Sequence, residues 1–311
     1  MAVRLGLGLA DFPFSGAQAF WRWVRLCEEG GVDSLWQSDR LVAAAPFLEC
    51  MSVMAAVAGA TQRIKFGMNV LALGLREPLI VAKECATIDY LSGGRFLPAF
   101  GVGSLASPDW AAMGRRTEGQ GARVDEALDI MIRLWRGDTV DIHGRHFHYK
   151  GARVSPSPAQ SPLPVWLGGS SPAAIRRTVR FGSGWQAGAE SPSEVAPLVA
   201  AIKAAAIEAG RPMDPEHFGA GFFYRFGAGD DPVVEARRAA FRRAYPSLDP
   251  DRAIVVGGPA EIVQRVRDYE AVGISKFILR PLGRGDDDLF DQTERLIGEV
   301  IPAIHRSKAE G

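Results

Sequence analysis

The chain has 311 residues and 36 basic against 36 acidic side chains, so its formal net charge is zero and it does not have the character of a general nucleic-acid binder. Hydrophobic residues make up 47% and charged residues 23%, which excludes wholesale disorder. The longest nearly uncharged stretch, Met51 to Thr61, is too short to span a bilayer, and the first residues carry no basic segment followed by a long apolar run.

Short apolar runs alternate with helix-period segments along the whole chain, the pattern of βα units around a parallel sheet. Val3 to Leu9 reads as the first strand, followed by a helix with Phe20, Trp23, Val24 and Cys27 on one face, stopped at Gly30-Gly31. Asp33 to Gln37 is the second strand, and a helix is predicted from Phe47 to Gly59. Ile64 to Leu71 is the third strand, and Pro78 opens a helix ending at Gly93-Gly94. Arg95 to Val102 reads as strand four. Val124, Leu128, Met131, Ile132 and Trp135 then recur at helical spacing as one buried face. A proline-containing, hairpin-like stretch at 137–163 interrupts the rhythm. Strand five is Pro164 to Gly168, with a helix from Pro172. Strand six is Gly184 to Ala187, a helix runs from Ser193 to Ala209, and strand seven is Phe218 to Phe226. Helical segments at 231–244 and 259–272 precede strand eight, Lys276 to Arg280, and an amphipathic helix with Leu289, Leu296, Val300 and Ile304 follows. Eight βα units predict an α/β fold of the (β/α)8 TIM-barrel type, one domain over 1–311, with the hairpin-like insertion after the fourth helix. Cys27, Cys50 and Cys85 stand in apolar, helix-like stretches and read as reduced core thiols of a soluble cytoplasmic protein.

In such a barrel, chemistry gathers at the C-terminal ends of the strands. Those positions are Ala10-Asp11, Ser38-Asp39-Arg40, Asn69-Val70, Gly101 to Ser104, Gly168 to Ser171, Trp185-Gln186, Tyr224-Arg225 and Arg280-Pro281. They hold no histidine, no cysteine and no lysine, which argues against a metallohydrolase or a Schiff-base aldolase, and too few acids for a retaining glycosidase. What they offer is glycine-rich backbone. Gly168-Gly169-Ser170-Ser171-Pro172 runs from strand into helix, with Ser170 or Ser171 as N-cap, and its free N–H groups suit a phosphate as well as they suit an ordinary cap. Arg176, Arg177 and Arg180 follow on that helix, as phosphate ligands or as a solvated face, and Arg176 is the best placed. The short Gly101-Val102-Gly103 turn permits close approach by something flat. His143, His146 and His148 cluster outside the predicted mouth, without the cysteine or carboxylate partners of a closed metal site.

Several segments, taken in order, resemble the luciferase-like monooxygenase superfamily and, within it, its coenzyme F420-dependent oxidoreductases. They are Asp33-Ser-Leu-Trp-Gln-Ser-Asp39, Ile64 to Leu71, Leu91-Ser-Gly-Gly-Arg-Phe96 running into Gly101-Val-Gly103, Leu134-Trp-Arg-Gly-Asp138 with His143-Gly-Arg-His-Phe147, Pro164-Val-Trp-Leu-Gly-Gly169, Gly182-Ser-Gly-Trp185 and Val255-Val-Gly-Gly-Pro259. The resemblance implies that Asp39 touches the coenzyme and that a non-proline cis peptide at Asn69-Val70 backs its ring. It further implies that Gly101, Gly103 and Ser104, with Gly168, Gly169, Ser170, Arg176 and Trp185, cradle the phosphate and side chain. It departs from the family at Arg40, where many members carry histidine. Arginine cannot serve as a proton donor near neutrality, so Arg40 is expected to hold an anionic substrate, pair with an acid, or steady a developing oxyanion. Ser183 replaces the usual acid of the Gly-Asp-Gly-Trp motif, and the loop after Gly103 offers only Asp109 in place of the glutamate of sugar-phosphate-oxidising relatives. The expected activity is hydride transfer between F420 and a small organic substrate, with Asp39 and Arg40 as catalytic candidates. An FMN-dependent monooxygenase and a coenzyme-binding protein without turnover are the alternatives. The substrate pocket is expected to be apolar or mixed, lined from loops 40–47 and 104–118 by residues such as Phe47, Leu105, Trp110 and Met113. Homodimerisation is common in the family.

Overall fold

The computed structural model describes residues 2–306. Strand β1 (Arg4–Leu9) leads into helix α1 (Ala17–Glu29), whose Phe20, Trp23, Val24 and Cys27 form the expected buried face, and then into β2 (Ser34–Gln37). Helix α2 (Cys50–Ala60) begins at Cys50 and not at Phe47, because the Glu49 carboxylate accepts the backbone N–H of Ser52 and fixes the start there. The third predicted strand is split into β3 (Lys65–Met68) and β4 (Leu71–Ala72), on either side of a cis peptide bond between Asn69 and Val70. Helix α3 (Pro78–Ser92) opens on its proline and ends at Gly93, whose φ of +65° favours glycine. The fourth predicted strand is also split, into β5 (Phe96–Leu97) and β6 (Ala99–Gly101), around Pro98, which has no N–H to give a ladder. After the short α4 (Asp109–Ala112), α5 (Gln120–Trp135) buries Val124, Leu128, Met131 and Trp135.

Strands β7 (Val140–His143) and β8 (His148–Ala152) pair antiparallel, with His143 opposite His148. Then follow β9 (Trp166–Gly168), α6 (Pro172–Phe181), β10 (Gly184–Gln186), α7 (Pro192–Glu208), β11 (Phe218–Phe226) and α8 (Pro232–Ala244). A strand that periodicity did not reveal, β12 (Ile254–Gly257), precedes α9 (Pro259–Ala271) and β13 (Lys276–Pro281). Helix α10 (Asp286–Arg295) continues through a π-helical turn at Leu296–Val300 into α11 (Ile301–Arg306), with Leu289, Leu296, Val300 and Ile304 buried as the spacing predicts.

The chain divides into two compact units, residues up to Trp36 together with those from Gln186, and Gln37–Trp185. In the first, β13 lies between β1 and β11, pairing parallel with both: Lys276–Leu279 beside Arg4–Leu7, and Lys276–Pro281 beside Gly219–Tyr224. Strand β12 runs parallel to Phe223–Phe226 of β11. In the second, β3 pairs with β5, β4 with β6, and β6 with β9, all parallel. Both units are therefore α/β, with parallel strands alternating with helices. Their strands are hydrophobic on both faces, as strands covered on both sides must be, and Leu5, Leu7, Phe66, Phe96, Phe100, Trp166 and Phe277 are buried. Cys27, Cys50 and Cys85 are all buried, and none is in a disulfide. Among the described residues no helix is long and apolar enough to cross a membrane. Lys276 is buried in an ion pair with Asp33, which occupies its charge in the fold.

Candidate functional site

The residues singled out in the sequence from Asp39 to Trp185 all fall in the Gln37–Trp185 unit, on segments that leave its parallel strands. Asp39, two residues beyond β2, is turned inward, its side chain only 2% exposed. One carboxylate oxygen accepts from Arg76 Nη2 at 2.8 Å and from the Cys50 thiol at 3.4 Å, and the other accepts the Ala72 N–H at 3.0 Å. Arg76 also reaches Glu49, 3.0 Å away. Burial, reinforced by the Asp39 charge, pushes the Cys50 thiol well above its usual value, so it remains a protonated donor. The cluster of Asp39, Glu49 and the neutral Cys50 thiol thus already holds a cation, the Arg76 guanidinium, paired with the two carboxylates. Asp39 fixes where the chain turns after β2 and ties that turn to β4.

Its neighbour Arg40 has no carboxylate partner among the described residues; its Nη1 donates to Ser107 Oγ at 2.9 Å. Two residues on, the Val42 N–H donates to Asp109 Oδ1 at 2.8 Å. Asp109 is buried and spent on this bond. The loop after β2 is therefore joined to the loop after β6 at two points. Around this junction Leu41, Val42, Leu105 and Met113 are exposed apolar side chains, while Phe47 is half-buried. Trp110, expected among the pocket-lining residues, is instead buried with Ala72 and Leu75 and donates through Nε1 to the Ser104 carbonyl at 2.9 Å. A bulky ring needs a core more than a loop surface needs the ring, and here it anchors the loop from below.

The glycines at and just beyond the end of β6 have a cause within the chain. A Cβ on Gly101 would stand 2.8 Å from Val70 Cγ2, and one on Gly103 would stand 2.9 Å from Ala72 Cβ, at a φ of +90°. The close approach these glycines permit is that of the Asn69–Ala72 segment itself. Ser104 is exposed beside them.

At the end of β9, Gly169 has a φ of +111°, and a Cβ there would meet that of Ala174 at 3.0 Å. Its carbonyl accepts from Nε1 of the fully buried Trp185 at 2.9 Å, which pins the loop from the next strand. Ser171 is the N-cap of α6, accepting the Ala174 N–H at 3.2 Å, and Pro172 fills the first turn. Of the three arginines that follow, Arg177 is not solvated: it is buried, bonded to Asp125 and to the Gly121 carbonyl. Arg180 lies over the Phe181 ring, with Cζ 4.6 Å from its centroid. Arg176 is exposed and without a partner among the described residues. The positive end of α6, the half-buried Ser170 and this uncommitted cation together suit an anion. Ser183 stands where the motif usually has an acid, and both its N–H and its hydroxyl donate to the Val165 carbonyl.

Sequence reasoning missed Arg76, Ser107 and the structural use of Asp109. Each works through a partner distant in the chain, and only the Glu49 cap, an acid three residues before a serine N–H, carried a local signal.

A family model described as luciferase-like monooxygenase matches residues 13–250. The chain spans 57% of the length of the first curated relatives it matches. It is 31% identical over 205 residues to an F420-dependent glucose-6-phosphate dehydrogenase of Nocardia farcinica, a match covering 61% of this chain and 59% of that one. Among solved structures, an F420-dependent secondary alcohol dehydrogenase in complex with an F420-acetone adduct has the same fold, with a TM-score of 0.85, 21% identity and 98% and 99% of the two chains covered. A type II Baeyer-Villiger monooxygenase from Pseudomonas putida in complex with FMN is similar at a TM-score of 0.79, with 18% identity and 97% and 98% covered.

Proposed function

The chain belongs to the luciferase-like monooxygenase family, and from that premise we propose that it is a coenzyme F420-dependent oxidoreductase that moves a hydride to or from a small organic substrate. The observation that carries the choice of coenzyme is the likeness to a dehydrogenase and an alcohol dehydrogenase that are both named F420-dependent. The (β/α)8 form of the whole chain belongs to the same proposal, supported by the parallel pairing within each unit and by the full-length likeness to the alcohol dehydrogenase.

The residues at the end of β9 fit a phosphate-bearing coenzyme: a capped helix start, the half-buried Ser170 just before it, and Arg176, exposed and with no carboxylate partner among the described residues. Ser170, the start of α6 and Arg176 would hold the phosphate, with Gly168 and Gly169 keeping the backbone close and Trp185 fixing the loop. Asn69 and Val70, braced by Gly101, Gly103 and Ser104, would back the ring. When bound, the deazaflavin supplies a two-electron hydride carrier at C5. Asp39 contributes by position: its bonds to Arg76 and Ala72 hold the β2 turn against β4, so that Arg40 leaves the strand in a fixed direction. Arg40 retains guanidinium donors beyond the one given to Ser107, so it can steady oxygen charge on a carbonyl or alkoxide. Leu41, Val42, Leu105 and Met113 offer apolar surface beside it, which favours a substrate with a hydrocarbon body and a single oxygen function.

The likeness to an FMN complex supports a second reading, a monooxygenase using reduced FMN and oxygen. One experiment separates the two: titration of the purified protein with F420 and with FMN, followed by tryptophan fluorescence. F420 should give saturable quenching at micromolar concentration and FMN a much weaker response. Saturation by FMN alone would transfer the chain to the monooxygenase reading.

A further inference from the structure

In the unit made of the residues up to Trp36 and from Gln186, two guanidinium groups share one aromatic ring. Cζ of Arg237, on α8, lies 4.3 Å from the centroid of the Phe223 ring, and Cζ of Arg280, at the end of β13, lies 5.4 Å from it. Arg280 and Phe223 are direct neighbours in the β13–β11 register. Arg280 runs past two glycines that Ile278 already crowds: a Cβ on Gly8 would lie 2.6 Å from Ile278 Cγ2 and 3.6 Å from Arg280 Cγ, and one on Gly221 would meet the Ile278 carbonyl first and lie 3.3 Å from Arg280 Nη1.

Among the described residues one carboxylate faces this pair, and it offsets only one of the two charges. Asp11 Oδ2 stands 3.8 Å from Arg237 Nη2, at the limit of an ion pair. Arg280 has neither a carboxylate partner nor a hydrogen bond among the described residues; the other group that faces it is the phenol of Tyr245. Burial, and after it the charge of Arg237, pulls the Arg280 guanidinium down to about 10, so it is still a cation at neutral pH. The contrast with Arg225 is instructive. That strand-end arginine is bonded to Asp231, Asp288 and the Leu282 carbonyl, the dressing a recessed structural cation requires. A wider groove of about 710 Å³ beside β12 and α9 has its charges similarly committed, with Arg238 on Asp251 and Glu235, and Glu261 on the Gly258 N–H. Arg280 combines a recessed position with a charge that no carboxylate among the described residues meets.

We propose that Arg237 and Arg280 form a binding site for the carboxylate group of a small-molecule ligand, backed by the Phe223 ring. Charge selects the class. Two cations less Asp11 leave a single positive charge, which one carboxylate balances and a phosphate dianion overshoots. The planar fork of a guanidinium also matches the two oxygens of a carboxylate. The site does not depend on which coenzyme the protein uses.

The test is thermal unfolding of the full chain at constant ionic strength in chloride, acetate, benzoate and inorganic phosphate. Acetate and benzoate should raise Tm saturably above the chloride baseline, as a ligand of the native state does, and the rise should vanish in Arg280→Met and in Arg237→Met. Without carboxylate, Arg280→Met should melt at or above the wild-type temperature, because it removes an unbalanced recessed charge, whereas an arginine serving only as a strut would leave a less stable protein. Arg280→Lys keeps the charge but not the fork, so it should fold and need roughly tenfold more benzoate for the same shift. It carries the test if the Met variant does not fold. The proposal is overturned if carboxylates give no shift beyond chloride, if the shift survives the substitutions, or if phosphate stabilises more than benzoate.

Discussion

Arg95 uses every N–H of its guanidinium. It donates to the carbonyls of Ser92, Ile64, Ala58 and Thr61 and to the Thr61 hydroxyl, at 2.6–3.0 Å, and lies over the Phe66 ring. Four of these five acceptors lie at the end of α2 and in the turn into β3, so one side chain satisfies carbonyls that a helix end leaves open. Lysine has three donors on a point charge and cannot match this fork. Arg95→Lys should therefore cost about 3 kcal/mol or more, given ~1.5–3 kcal/mol for each bond to a charged group and incomplete additivity. Urea unfolding measures it, and a loss below about 1 kcal/mol would refute the role. The sequence placed Arg95 in a recognisable segment but could not say what it does, since its partners are backbone carbonyls with no residue signature. Asp39 shows the same limit. Its type and position were legible, but its commitment to Arg76, Cys50 and Ala72 depends on contacts made across the fold.

At the scale of elements, order was readable from hydrophobic period, while interruptions were not. Strand seven, Phe218–Phe226, matches its predicted bounds, whereas strands three and four each break in the middle. The break after β3 is where Gly101 and Gly103 come close to Val70 and Ala72, and the glycines were read as room for a ligand because nothing local shows that the chain itself fills the space. Strand β12 escaped notice because Ile254–Gly257 is too short to show a period. Two substitutions separate these kinds of glycine. Gly103→Ala meets both a φ of +90° and a contact of 2.9 Å with Ala72, and should lower stability by about 1–3 kcal/mol. Gly59→Ala, in helix α2 with open space around it, should raise stability by up to about 1 kcal/mol. Equal melting shifts in the two variants would contradict this account.

For the molecule as a whole, net neutrality hides a bias: 30 of the 36 basic residues are arginine. Much of that arginine is internal scaffolding, as Arg76, Arg95, Arg177 and Arg225 show, and composition alone cannot separate scaffolding from ligand-facing charge. The alternation of strands and helices was legible end to end because it follows from residue spacing; which strands pair was not, because ladders are made by backbone groups that every residue carries. Global integrity has a direct readout in the cysteines. All three are buried, and burial pushes the Cys50 and Cys85 thiols well above their usual value, which leaves almost no reactive thiolate. An aromatic disulfide reagent should label none of them in the native protein and all three after denaturation. Rapid stoichiometric labelling under native conditions would show that these positions open without global unfolding.

The bonds from Arg40 to Ser107 and from Val42 to Asp109 make the two loops heritable only together. A chimera that imports one loop from a relative strands the buried Asp109 carboxylate or deprives Arg40 of its anchor. Libraries aimed at new substrates should therefore vary residues 40–47 and 104–113 as a single linked cassette.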